Sequence, residues 1–170
     1  MSLHPVDMRT LSPEIFRIFD AQPPLLTAGD KSSCNTMTIG WCQLGTLWRK
    51  PVCTVYVRPE RYTYQFMESH DYFTVSVLPE AEKKTLAVCG TKSGRELNKI
   101  ETCGLTVRYG VGDAPFFEEA EWVLVCKKMY AHDFAPDCVL DGTHILPRYA
   151  EGEGGWHRMY IGEVLEAYRK

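Results

Sequence analysis

The sequence predicts a mainly β protein, built as a small closed antiparallel barrel with short helices between its strands. Segments rich in aromatic and β-branched residues outnumber helical ones, and the strongest of them is residues 72–78, YFTVSVL. The predicted helices are short, and there is no strict alternation of strand and helix of the kind that indicates a parallel sheet. No internal repeat or composition break divides the chain, so we expect a single domain over residues 1–170.

Local signals place the elements in chain order. A first short helix is expected where Ser12 caps and Pro13 takes the first helical position. The expected strands lie at residues 25–28, 35–44, 51–57, 72–78, 105–109, 115–118, 122–132 and 157–168. The expected helices lie at residues 60–70, 81–89 and 95–101, and residues 142–155 are expected to form a loop.

Composition and charge exclude several classes of function. Of the 170 residues, 45% are apolar and 24% are charged, which is typical of a globular protein. The net charge of -3 argues against a nucleic-acid or anionic-membrane partner. No apolar run approaches the ~18 residues that a membrane helix needs, and the first residues lack the pattern of a secretory signal. We therefore expect a cytoplasmic protein.

The cysteines and histidines predict no metal site. No two of the seven cysteines form a C-x-x-C pair, and the five histidines show no metal-ligand spacing. Several cysteines sit in apolar stretches, which is typical of free thiols in a reducing cytosol, and a redox-active pair is the alternative. Neither a G-x-G-x-x-G fingerprint nor a P-loop motif is present, so those two nucleotide sites are not expected.

Two turns carry the chemistry that suits a dianionic phosphate, namely basic side chains, hydroxyls and free backbone N–H groups. The 58–63 turn follows a strand and leads into a helix, and it carries Arg58, Arg61, Tyr62 and Thr63. The 91–95 turn carries Lys92, Ser93, Gly94 and Arg95, with Lys99 one helical turn later. Each turn alone is equally consistent with a solvated surface. Two of them in one acidic protein favour a phosphorylated cofactor.

The strand between these signals is unusually polar. On a strand, Asn35 and Met37 share a side with Ile39 and Trp41, whereas Thr36 and Thr38 share the other side with Gly40. Neither side is purely apolar, which indicates a strand that lines a polar ligand. An ordinary edge strand is the alternative.

An ordered series of motifs resembles the flavin reductase-like family, most closely its flavoredoxin-type branch. The resemblance runs from about residue 27 to about residue 168, and residues 1–20 lie outside it as an amino-terminal extension. The motifs, in order, are Asn35-Thr36-Met37-Thr38-Ile39-Gly40-Trp41, Gly45, Trp48, Lys50-Pro51, Val55, Arg58-Pro59, Arg61-Tyr62-Thr63, Tyr72-Phe73-Thr74-Val75-Ser76, Ser93-Gly94-Arg95-Glu96-Leu97-Asn98-Lys99 and Tyr160-Ile161-Gly162-Glu163-Val164.

The resemblance implies a six-stranded antiparallel Greek-key split barrel with short helices, which binds FMN near the interface of a homodimer. The residues that would lie along the flavin ring or its ribityl chain are Asn35, Thr36, Met37, Thr38, Cys53 and Thr54. The residues that would hold the phosphate or the ribityl end are Arg58, Tyr62, Thr63, Ser93, Gly94, Arg95 and Lys99. Hydride transfer to flavin N5 needs no side-chain acid or base, so no catalytic residue is expected.

The function implied is that of an NAD(P)H-dependent flavin or ferric reductase that passes electrons through bound FMN. The alternative is an FMN electron-transfer protein that exchanges electrons with a partner protein and has no NAD(P)H site of its own. A third alternative is a non-redox barrel that binds another phosphorylated ligand or haem. No motif marks a nicotinamide site, and the sequence leaves open whether Trp41, Trp48 or Trp156 covers the flavin ring.

Overall fold

The computed structural model of the chain describes residues 4–6, 22–150 and 155–170. The helix predicted at Ser12 lies outside the described residues. The strands are β1 (His4–Pro5), β2 (Leu25–Gly29), β3 (Cys34–Thr38), β4 (Cys42–Leu47), β5 (Lys50–Val57), β6 (Tyr72–Val77), β7 (Val107–Tyr109), β8 (Pro115–Phe117), β9 (Trp122–Asp133) and β10 (Arg158–Arg169). The α-helices are α1 (Tyr62–Ser69), α2 (Lys83–Thr91), α3 (Lys99–Cys103), α4 (Gly142–Ile145) and α5 (Pro147–Ala150).

Eight strands pair into one antiparallel sheet. Its two edge strands, β3 and β4, follow each other in the sequence. The order is β3-β2-β6-β9-β10-β5-β4, with β1 paired to β10, while β7 and β8 form a separate two-stranded ribbon. Only residues 39–41 join β3 to β4, and such a connection spans no more than about 15 Å. The sheet must therefore curl until its two edges approach each other. Its antiparallel strands confirm the predicted mainly β class.

The expected number of six strands is wrong. The run expected as one strand over residues 35–44 is two strands that serve opposite edges of the sheet. The Ile39 N–H still donates to the Pro24 carbonyl beside β2, at 2.9 Å, whereas Cys42 already pairs with Val55 of β5. A further strand comes from the amino-terminal segment, where His4 pairs with Arg169 of β10.

Apolar side chains on both faces of the sheet form two cores. The first core lies within the curl of the sheet and includes Leu26, Val55, Phe73, Leu124 and Tyr160. The second lies under α2, α3 and the β7–β8 ribbon and includes Leu25, Leu86, Phe117, Val123 and Val125. Strand β2 is buried along its whole length because both cores pack against it.

The start of α3 is set by a side-chain cap. The Asn98 side chain accepts a hydrogen bond from the Glu101 N–H at 3.3 Å, so the helix begins at Lys99 and not near residue 95 as the sequence predicted. Gly104 ends the helix in the left-handed conformation at φ 65°. Lys99 is therefore the first residue of a short helix, and only residues 96–98 separate it from the 91–95 turn.

The segment expected as a loop over residues 142–155 contains α4 and α5, each a single turn of helix. The Asp141 side chain caps α4 by accepting a hydrogen bond from the His144 N–H. Across residues 4–6, 22–150 and 155–170, no helix has the length and apolar character needed to cross a membrane.

Candidate functional site

A cleft of about 130 Å³ opens where the 58–63 turn meets the 91–95 turn. Strand β3, the start of α1, the end of α2 and the start of α3 form its walls. The lining residues are Met37, Glu60, Arg61, Tyr62, Thr63, Cys89, Gly90, Thr91, Lys92, Ser93, Gly94 and Lys99. The fold thus brings the two phosphate-competent turns to one cleft, although about thirty residues separate them in the sequence.

Lys99 is the buried cation of this cleft. Its side chain is only 5% exposed, and its Nζ donates to the carbonyl oxygens of Thr36 at 3.0 Å and Cys89 at 2.8 Å. Burial lowers the pKa of Lys99, and the nearby charge of Arg61 lowers it further. Within the part of the chain that the structure describes, Lys99 forms no ion pair. An ammonium with one N–H left to donate and no carboxylate partner favours an anionic ligand.

Gly94 closes the 91–95 turn against Asn35. A Cβ atom on Gly94 would lie 2.1 Å from Asn35 Oδ1 and 2.7 Å from Tyr62 Cδ1. Asn35 is buried and cannot move away easily, because its Nδ2 donates to Thr63 Oγ1 at 2.7 Å. Asn35 therefore joins the two turns, and only a glycine permits the approach.

The threonines of β3 use their hydroxyls within the fold. Thr36 is fully buried and its Oγ1 donates to the Leu26 carbonyl at 3.2 Å, while Thr38 Oγ1 donates to the Leu86 carbonyl at 2.7 Å. Of the four β3 residues that the resemblance places along the flavin ring, only Met37 lines the cleft.

Cys53 and Thr54 lie in β5, away from the cleft lining. Cys53 is fully buried in the first core, where its Sγ lies 3.5 Å from Cys42 Sγ. Thr54 is also buried. The structure does not bring these two side chains to the cleft.

Two of the expected arginines bind protein groups beside the cleft. Arg58 Nη2 donates to the Arg148 carbonyl at 3.0 Å, and the guanidinium lies 5.3 Å from the centre of the Tyr149 ring. Arg95 Nη1 donates to the Glu60 carbonyl at 3.1 Å and so ties the two turns together.

The cleft lining includes two cationic side chains, Arg61 and Lys92, that the family resemblance did not assign as ligands. Arg61 directly precedes α1 and Lys92 directly follows α2. Both belong to the turns that the sequence singled out. Their position beside a helix end could have indicated that they bind an anion. The sequence does not show, however, that Arg61 and not Arg58 lines the cleft.

An aromatic cluster of Trp41, Tyr149, Trp156 and His157 lies at the end of the sheet next to the 58–63 turn. The rings of Trp41 and His157 lie 4.4 Å apart, His157 Nδ1 lies 2.9 Å from the Tyr149 hydroxyl, and Trp156 stacks on Tyr149 at 4.1 Å. Burial, and then the charge of Arg58, lower the pKa of His157 to about 4, so the imidazole is neutral at pH 7.

Strand register tells the tryptophans apart. Trp41 directly precedes β4, whose first residue pairs with Val55 near the 58–63 turn. Trp48 lies at the opposite end of β4, in the turn between Leu47 and Lys50. Within the described ranges, no group of three acidic, histidine or cysteine side chains is placed to hold a metal ion.

Comparison with known proteins identifies the family. The family model "Flavin reductase like domain" matches residues 16–170. The chain belongs to the flavin reductase-like domain family. No curated protein sequence matches it.

Solved structures share this fold at low sequence identity. Flavoredoxin from Methanosarcina acetivorans superimposes with a TM-score of 0.69 at 23% identity, covering 88% of this chain and 69% of that one. An FMN-binding domain of a flavin reductases-like enzyme from Shewanella baltica gives 0.68 at 21% identity, covering 98% and 76%. An NADH:FAD oxidoreductase from Streptomyces globisporus, in complex with NAD and FAD fragments, gives 0.64 at 20% identity, covering 88% and 75%. These similarities place the fold among the split barrels of the family.

Proposed function

We propose that this protein is an FMN-binding flavoprotein and that the cleft holds the phosphate of FMN. The observation that carries the proposal is the burial of Lys99, whose acceptors among the described residues are backbone carbonyls only. Arg61 and Lys92 add two positive charges to the lining against the single carboxylate of Glu60. A phosphate monoester dianion balances this excess and accepts hydrogen bonds from all three cations.

The chemistry would come from the cofactor and the binding from the chain. FMN, when bound, accepts and donates electrons through its isoalloxazine ring. Lys99, Arg61 and Lys92 would bind the phosphate, together with backbone N–H groups of the 91–95 turn. Met37 in the lining and Trp41 at the adjoining end of the sheet are the side chains that we expect to contact the ring.

A comparison of FMN with riboflavin tests the phosphate site. Riboflavin has the same ring but no phosphate, so the purified protein should bind FMN on the order of 100-fold or more tightly than riboflavin. Isothermal titration of the apoprotein with each flavin gives this ratio. Equal affinity for the two flavins would remove the phosphate from the cleft. A colourless protein that takes up neither flavin would favour the alternative of a non-redox barrel.

We propose further that the protein is an NAD(P)H-dependent reductase. The supporting observation is the exposed Trp41 ring, which packs on the neutral His157 imidazole. This exposed ring gives the nicotinamide of NAD(P)H a surface to stack on. In the absence of oxygen, NADH or NADPH should bleach the flavin absorbance. If only a chemical reductant bleaches the flavin, the alternative of an electron-transfer protein replaces the reductase.

We also propose a homodimer. Trp48 is 57% exposed, its ring packs against the exposed Tyr130, and both Trp48 and Arg49 hold the left-handed conformation at φ 50° and 61°. Exposed aromatic side chains on a hairpin with an unfavourable backbone mark an association surface. Light scattering on the purified protein should give twice the 19.4 kDa chain mass, and Trp48→Glu should give the monomer mass.

A further inference from the structure

Two cysteines, Cys89 and Cys103, flank Lys99 in the sequence. Cys89 lies near the end of α2, is 1% exposed, and provides the carbonyl that accepts from Lys99 Nζ at 2.8 Å. Cys103 ends α3, four residues after Lys99, and residues four apart share one face of a helix. The contact that ties Lys99 to α2 therefore also brings Cys103 towards Cys89.

Packing and electrostatics agree with this placement. Cys89 belongs to the second core, and Cys103 is one of the partly buried residues packed against that core. Burial and the interaction with the Cys103 thiol raise the pKa of Cys89 to about 12, and the Lys99 ammonium acts in the opposite direction. Both thiols in turn raise the pKa of Lys99.

We propose that Cys89 and Cys103 form a reversible disulfide when the protein meets a hydroperoxide, and that this bond fixes the phosphate cleft. The second part rests on the proposed function, whereas the disulfide itself does not. All seven cysteines are free thiols in this structure.

The reaction balances with hydrogen peroxide as oxidant. The sulfur of Cys103, the more exposed of the pair, attacks one peroxide oxygen; the O–O bond breaks, and the departing oxygen leaves as water with the thiol proton. Cys103 is then a sulfenic acid. The Cys89 sulfur attacks the Cys103 sulfur, the S–O bond breaks, and the hydroxyl leaves as a second water with the Cys89 proton. Two thiols lose two electrons and two protons, and one peroxide becomes two waters.

The bond would enclose the anion-binding segment. The 15 residues from Cys89 to Cys103 include the whole 91–95 turn and Lys99. Closing this loop restricts the unfolded chain and holds α2 against α3. We therefore expect the oxidised protein to melt about 5 °C or more above the reduced protein, and to release FMN several-fold more slowly.

The other close thiol pair serves as an internal comparison. Cys42 Sγ and Cys53 Sγ lie 3.5 Å apart, but the register pairs Cys42 with Val55 and Cys53 with Leu44. The two cysteines are thus diagonal neighbours, with Cα atoms typically about 7–8 Å apart, beyond the reach of an unstrained disulfide. We expect this pair to stay reduced.

The experiment uses the full chain carrying Cys138→Ser, because Cys138 is exposed and would link two molecules. After treatment with about one equivalent of hydrogen peroxide, the protein is alkylated in denaturant and digested with trypsin. The expected product joins the peptides of residues 85–92 and 100–108, since trypsin cuts at Lys92, Arg95 and Lys99 between them. Dithiothreitol should separate the two peptides and reverse the shift in melting temperature, and the matched control Cys103→Ser should show neither effect.

Each outcome bears on one claim. If both cysteines are recovered alkylated while the protein binds FMN, the disulfide is refuted and the flavin site stands. If the peptides are joined but no FMN binds, the disulfide stands and the proposed function is refuted. If the peptides are joined but FMN release is unchanged, the link between the disulfide and the cleft is refuted.

Discussion

Replacement of Lys99 by methionine tests the phosphate site most directly. Methionine keeps an unbranched side chain of similar length but removes the charge and its hydrogen bonds. A charge-assisted hydrogen bond to phosphate contributes about 1.5–3 kcal/mol, so the dissociation constant for FMN should rise on the order of 10- to 100-fold. The affinity for riboflavin should change far less, because riboflavin carries no phosphate.

The same substitution has opposing effects on the stability of the apoprotein. It removes a cation that is only 5% exposed, which relieves the cost of desolvating that charge. It also deprives the Thr36 and Cys89 carbonyls of their charged Lys99 donor, which costs about 1.5–3 kcal/mol for each hydrogen bond. These contributions offset each other, so we expect the free energy of unfolding to change by less than about 2 kcal/mol.

Lys92→Met is the matched control for this experiment. Lys92 lines the same cleft but is exposed, so water and salt screen its charge, and the loss of FMN affinity should stay within about fivefold. Fluorescence titration measures the affinities, and urea denaturation measures the stabilities. If Lys99→Met binds FMN within twofold of the unsubstituted protein, Lys99 does not contact the phosphate.

The pH dependence of FMN binding gives a second signature of Lys99. Burial lowers the pKa of Lys99 in the folded protein below the usual 10.5 of the unfolded chain. At pH values between the folded and the unfolded pKa, the unfolded chain therefore binds more protons than the folded one. Lys99 therefore makes the free energy of unfolding rise with pH in that interval, while FMN affinity falls because the amine loses its charge. In Lys99→Met this alkaline loss of affinity should disappear, and an unchanged alkaline limb would assign it to another group.

Four further substitutions probe the structure around the cleft. Gly94→Ala should weaken FMN binding and cost about 1–3 kcal/mol of stability, because the new Cβ would overlap Asn35 Oδ1; denaturation and flavin titration measure both effects. His157→Asn should reduce the loss of stability on acidification. Because the pKa of His157 is about 4, the stability that its neutral imidazole contributes is complete above pH 6.5 and is lost as the pH falls towards 4. Urea denaturation should show this loss as a difference on the order of 2 kcal/mol. Arg61→Ala should weaken FMN binding more than Arg58→Ala, because the Arg58 guanidinium contacts protein groups outside the cleft lining, and flavin titration of the two variants compares them.

These expectations have their own controls. Gly45→Ala is the comparison for Gly94→Ala, since nothing lies within 4 Å of a Cβ at that position, and it should leave FMN binding unchanged. An unaltered acid limb in the His157 variant would contradict the burial of a neutral imidazole. Equal losses of FMN affinity in the two arginine variants would extend the phosphate site to Arg58.

The sequence by itself determined the class of the fold and the kind of ligand site. Aromatic and β-branched runs such as residues 72–78 specify strands through local sterics. Basic residues and glycine beside a helix start specify an anion-binding turn by composition alone. Both are local properties, so they can be read without knowing which segments meet. The ordered motifs also indicated the family, because they span nearly the whole chain.

The tertiary structure alone decided which side chains reach the cleft. Strand pairing splits residues 35–44 into two strands at opposite edges of the sheet, and it sends the hydroxyls of Thr36 and Thr38 into the fold. Packing buries Lys99 with no carboxylate partner among the residues that the structure describes, and it directs Arg58 to the Arg148 carbonyl. These outcomes depend on contacts between residues far apart in the chain, and long-range contacts set burial and charge balance in ways that local residue pattern does not encode.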